Sequence, residues 1–139
     1  MRAISRGDAE ETRSLFARQH VVIDPARVSD EMLMETMLAT QGWYLEDDTV
    51  ELTPELTNAI AAFATDLRGP VYRIFKGQDL PAAHLVQRRV EIQVLSILGQ
   101  LRPRLNFHRV AREWVYREPP LTALGAADRA WREPLRVAV

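Results

Sequence analysis

Apolar positions along this chain recur at helical spacing far more often than they alternate. The longest such stretch runs from Leu80 to Leu101, LPAAHLVQRRVEIQVLSILGQL. Val86, Val90, Val94, Ile97, Leu98 and Leu101 form one apolar face, and Leu85, Ile92, Leu95 and Gly99 form a second, roughly opposite. A helix apolar on two sides calls for cover on both. The pattern therefore predicts a buried central helix over 80–101. Asp79-Leu80-Pro81 reads as its start, because proline is tolerated in a first helical turn. Pro103 ends it, since the residue before a proline is pushed out of helical geometry.

Shorter segments flank it. Asp8 with Glu11 has capping-box spacing, which predicts a helix from Asp8 to His20 with Ala9, Thr12, Leu15 and Phe16 inward. Val21-Val22-Ile23 reads as a brief extended link ended by Asp24-Pro25. Ser29 caps a helix over 29–41 that buries Leu33, Met34, Met37 and Leu38 and stops at Gly42. Thr53-Pro54-Glu55 starts another, with Leu56, Ile60, Phe63 and Leu67 as its stripe, broken by Gly69-Pro70. Val71 to Phe75 adds a turn or two. Asn106 caps FHRVAREWVY, where Phe107, Val110, Ala111 and Trp114 face inward and Pro119-Pro120 ends the run. Between Trp43 and Leu52, WYL and TVEL flank three acids and fit a short hairpin or an irregular loop equally well. The fold class is all-α: a small bundle of about five to six helices around the central one. Residues 1–118 form one helical domain, and 119–139 a weakly helical C-terminal arm.

The 139 residues suffice for a real core. A net charge of −1 argues against a general nucleic-acid or membrane-surface binder. The absence of cysteine removes disulfides, thiol catalysis and cysteine metal sites, and fits a reducing compartment. No apolar run reaches the roughly 18–20 residues that span a bilayer, and the first residues lack a secretory core. A cytoplasmic location is expected.

Candidate chemistry is sparse. His20, His84 and His108 are nowhere three or four residues apart, so they make no helical metal pair. No nucleophile elbow and no glycine-rich phosphate loop is present. Glu46, Asp47, Asp48 and Glu51 lack the ligand alternation of a calcium loop and read as a solvated turn. Arg88, Arg89 and Glu91 interrupt the central helix. They read as an interaction site or as structural ion pairs, with Arg88 and Glu91 spaced to pair. The methionines of 29–41 suggest core packing or an adaptable groove. A ligand pocket among Met34, Met37, Phe63 and Trp114 is one alternative. An arginine-rich nucleic-acid surface at Arg102, Arg104, Arg109 and Arg112 is another, weakened by Glu113, Glu118 and the lack of interleaved aromatics.

The central segment resembles the C-terminal helical region of the ABC1/UbiB (AarF-like) atypical kinase family. The likeness lies in Leu80-Pro81, Leu85-Val86, Arg88-Arg89, Val94-Leu95, Ile97-Leu98 and Gln100-Leu101, with Glu113-Trp114 downstream. The opening RGDAEETRSLFARQHVVID is similar to the stretch that follows the kinase core, and the likeness covers most of residues 5–116. The family's KxGQ motif, ion-pair lysine and glutamate, catalytic loop and metal-binding aspartate are not in this sequence. Lys76-Gly77-Gln78 has the letters of KxGQ without its spacing. The resemblance thus implies a non-catalytic helical subdomain that braces a kinase-like lobe or contacts a partner. Arg88, Arg89, Glu91 and Trp114 are its candidate contacts. It implies no cofactor of its own; ATP and magnesium would belong to a larger parent protein, as would any peripheral membrane contact.

Overall fold

The computed structural model of the chain describes residues 1–78, 80 and 82–136. Asp79 and Pro81, on which the predicted start of the central helix rests, lie outside the described residues. The fold is all-α. In chain order come α1 (Arg2–Ser5), α2 (Ala9–Ala17), α3 (Asp30–Gln41), a 3₁₀ turn (Gly42–Tyr44) and β1 (Val50–Glu51). Then follow α4 (Pro54–Thr65), α5 (Pro70–Phe75), α6 (Ala82–Leu101), β2 (Arg104–Leu105), α7 (Phe107–Tyr116) and α8 (Ala123–Arg136).

Four helices start where side-chain oxygens take up free N–H groups. Asp8 accepts from the Glu11 amide at 2.8 Å and Ser29 from Met32 at 3.2 Å. Thr53 accepts from Leu56 at 3.3 Å and Asn106 from Arg109 at 2.9 Å. α2 ends earlier than predicted, at Ala17, and His20 takes a left-handed conformation (φ 64°) that carries the chain into the Val21–Ile23 link. Val21 and Ile23 turn inward and Val22 outward, as extended backbone requires.

The core sits in the first half of the chain rather than around α6. Ile4, Val21, Ile23, Val28, Leu33, Met37 and Leu45 meet Ile74 of α5 there. The Arg13 guanidinium, mostly covered, ties the link to this core. It donates to the carbonyls of Ile23 (3.1 Å) and Val28 (2.5 Å) and to Asp30 of α3 (2.8 Å). Thr12, Thr36 and Thr57 are buried, and each hydroxyl donates to a carbonyl one turn earlier in its own helix, which removes the cost of burying it. Met34 is only half-buried and Leu38 is exposed, so the α3 stripe is narrower than expected. Leu67 lies beyond the end of α4 and is exposed.

The central helix requires the main correction. α6 is one unbroken helix, but it is covered on one side only. Leu95 and Gly99 pack on α4, where Gly99 lets the two backbones approach beside Thr57. The opposite face, Val86, Val90, Val94, Ile97 and Leu101, stands 48–70 % exposed. The reason lies in the exit from α6. Arg102 adopts a left-handed conformation (φ 49°) and, with Pro103, turns the chain away instead of back across that face.

Of the two alternatives for 43–52, a short local hairpin or an irregular loop, the hairpin does not form. Trp43 and Tyr44 lie in the 3₁₀ turn, and Val50-Glu51 pairs antiparallel with Arg104-Leu105, a partner more than fifty residues away. This pairing carries α7 onto the 3₁₀ turn, where Phe107 meets Trp43 edge-on at 5.2 Å. Trp114, expected inward, is 57 % exposed. The Arg132 guanidinium of α8 lies over its ring at 5.1 Å.

Candidate binding cleft

A cleft of about 850 Å³ opens between α3, α4, α5 and α6. Each wall follows from the packing just described. α3 contributes Thr36, Met37 and Thr40; α4 contributes Ile60, Ala61 and Ala64. α5 adds Val71 and Phe75, and α6 adds Leu85, Ile92 and Leu95. The small side chains at 61 and 64 leave α4 low where larger ones would fill the space. The volume lies within the range of sites that enclose drug-sized molecules.

Polar groups gather where the 3₁₀ turn meets α6. Gln41, Tyr44, Gln87, Arg88 and Glu91 all reach the cleft there. Glu91 accepts from Arg88 at 3.2 Å and from Gln87 at 2.9 Å, both within one helical turn. Burial, reinforced by the negative charge of Glu91, pushes the Tyr44 phenol up to about 12, and Arg88 opposes this in part. Tyr44 therefore stays a neutral hydrogen-bond donor throughout the physiological range. Its hydroxyl makes no hydrogen bond among the described residues, whereas its backbone carbonyl lies 3.3 Å from His108 Nδ1.

The structure divides the residues singled out in the sequence. Arg88 and Glu91 sit together on the cleft rim. Arg89 points away, exposed and without an ion pair among the described residues. Trp114 lies on the separate α7–α8 surface. Of the proposed pocket Met34, Met37, Phe63 and Trp114, only Met37 lines the cleft. Tyr44, Gln41, Ala61 and Ala64 were missed. Their signal, small residues at i and i+3 in α4 opposite an aromatic turn, is visible only once α4 and α6 are known to cross.

The acidic and arginine clusters largely neutralise one another. Asp47 accepts from Asn106 at 2.7 Å and Arg109 at 2.9 Å, and these two hydrogen bonds hold its carboxyl below the usual carboxylate range. Arg102 pairs with Glu51 at 2.9 Å and Arg112 with Glu118 at 2.8 Å. Of the four arginines from 102 to 112, only Arg104 lacks an ion pair among the described residues. No group of three or more histidine, aspartate or glutamate side chains is placed to hold a metal among the described residues, and no described helix is long and apolar enough to cross a membrane. Comparison with protein-family models, with curated proteins and with solved structures finds no match to this chain.

Proposed function

We propose that this chain is a non-catalytic helical binding module of the cytoplasm, and that the α3–α6 cleft is its binding site. The observation that carries this reading is the cleft itself: a mostly apolar trough with a hydrogen-bonding end. The ligand chemistry follows from that end. A neutral phenol donor and the Arg88 guanidinium favour a group that accepts hydrogen bonds, such as a carbonyl or carboxylate, attached to an apolar body. The resemblance to the C-terminal region of ABC1/UbiB-like proteins is compatible with this role and brings no catalytic residue with it. Its support is the residue pattern itself, carried on the uninterrupted helix α6 and followed by Glu113-Trp114 at the end of α7.

A second reading, contact with a kinase-like core or another protein, is favoured by the α7–α8 surface. Trp114, Val115, Leu124 and Trp131 are exposed there. Tryptophan and arginine are the residue types that most often anchor protein interfaces.

Titration with a fluorescent long-chain carboxylic acid tests the first reading. The protein is expected to bind it saturably with one-to-one stoichiometry. Ala61→Trp or Ala64→Trp fills the cleft and lowers affinity at least ~10-fold, while Tyr44→Phe lowers it about 3- to 10-fold, the effect of one lost hydrogen bond. Mg·ATP neither displaces the probe nor binds saturably. Probe binding that ignores both tryptophan variants, or saturable ATP binding, contradicts the proposal.

A further inference from the structure

The open face of α6 is unexplained by the cleft. Successive residues step about 100° around a helix. This places Val86, Val90, Val94, Ile97 and Leu101 roughly opposite the cleft-lining Ile92 and Leu95. The five side chains present roughly 500 Å² of apolar surface along a ridge about 25 Å long, at the upper end of what a soluble monomer leaves bare.

We infer that this ridge is the contact face for a second copy of the chain, which makes the protein a two-fold dimer through α6. Three observations favour a second copy over other occupants. From Val90 the apolar positions step by four, three and four residues to Val94, Ile97 and Leu101, the spacing of a paired helical seam. With its polar borders, the ridge offers on the order of 800 Å² per copy, the share each partner contributes to a standard stable interface. The borders also suit self-contact. A two-fold interface sets each surface patch against itself, so a strongly charged border would repel its own image. Here one border is mainly Gln93, Ser96 and Gln100, with Arg89 as its single charge. On the other, Glu91 is already tied to Arg88 and Gln87. A nucleic acid or an anionic lipid surface would instead call for a row of cations beside the ridge.

Sedimentation equilibrium of the full chain tests this. The expected mass at high protein concentration is twice the 15.9 kDa of one chain. Val90→Glu and Ile97→Lys each weaken association at least ~100-fold by placing an unpaired charge in the seam. Both keep their helical circular dichroism, because the substituted positions are exposed in the single chain. Ala64→Trp, within the cleft, leaves the dimer intact, so failure of the cleft reading and failure of this one are distinguishable. A monomer at every concentration, a dimer unmoved by Val90→Glu, or flotation of the protein with phosphatidylglycerol vesicles that Val90→Glu abolishes, overturns the inference.

Discussion

Leu33→Ala lowers the free energy of unfolding by about 3–5 kcal/mol, the upper range for a leucine truncated in a rigid core. Leu33 is 0 % exposed and sits among Ile4, Val21, Ile23, Val28, Met37, Leu45 and Ile74. Its neighbours come from α1, the 21–28 link, the α3 turn above it, the residue that follows the 3₁₀ turn and α5. These segments cannot all collapse into one cavity, so the space stays open and its lining loses dispersion contacts. Against a typical total of about 5–15 kcal/mol, the loss is a large fraction of the whole. Urea denaturation followed by circular dichroism measures it. A loss under about 1 kcal/mol would place the core elsewhere.

Gly99→Leu destabilises by about 3 kcal/mol despite removing a glycine from a helix interior. That removal alone would gain about 1 kcal/mol. The crossing of α4 and α6 reverses the sign. A Cβ at position 99 would stand 2.1 Å from Thr57 Oγ1 and 3.1 Å from Thr57 Cβ. Thr57 is buried, and its hydroxyl is held to the Pro54 carbonyl at 3.2 Å, so it cannot swing clear without losing that bond. The helices must separate, and overpacking of this kind typically costs about 1–3 kcal/mol beyond the lost propensity gain. The milder Gly99→Ala is rescued in part by Thr57→Ala, with a coupling of about 1 kcal/mol in a double-mutant cycle. Additive effects would mean that the helices do not touch at this point. Both helices wall the cleft, so the same variants distort it.

Most helices were legible because their signals are local. The Asp8, Ser29, Thr53 and Asn106 caps each act within three residues of themselves, and Gly42 and Pro103 follow closely on the ends of α3 and α6, whereas α4 stops at Thr65, before Gly69-Pro70 is reached. The face choice of α6 was not legible. Val86–Leu101 and Leu85–Gly99 are both apolar, and periodicity reports that a face is apolar without saying what covers it. The one local hint was Gly99, a residue whose lack of Cβ permits close helix approach, on the face that is in fact packed. The pairing of Val50-Glu51 with Arg104-Leu105 was hidden because two-residue strands carry almost no pattern and their partners are distant in sequence. Trp114 misled for a related reason. Its spacing from Phe107 and Val110 is helical, but α7 packs on the 3₁₀ turn through Phe107 at its beginning, while Trp114 near its end faces the Arg132 guanidinium of α8. The cleft combines both problems, since its polar end joins Tyr44 to residues some forty-five positions further on.

The chain contains no cysteine, so a single introduced thiol reports on one position alone. The decisive comparison is the rate of thiol labelling in Val94→Cys and Leu95→Cys, neighbours about 100° apart around α6, one on its bare face and one on its packed face, in dilute protein where self-association is negligible. With one flank of α6 bare and the other seated on α4, Cys at 94 reacts at nearly the rate of a free peptide thiol, and Cys at 95, a position only 8 % exposed, at least ~10-fold more slowly. Equal rates at the two positions, whether both fast or both slow, would contradict the one-sided packing from which the cleft and the dimer seam both derive.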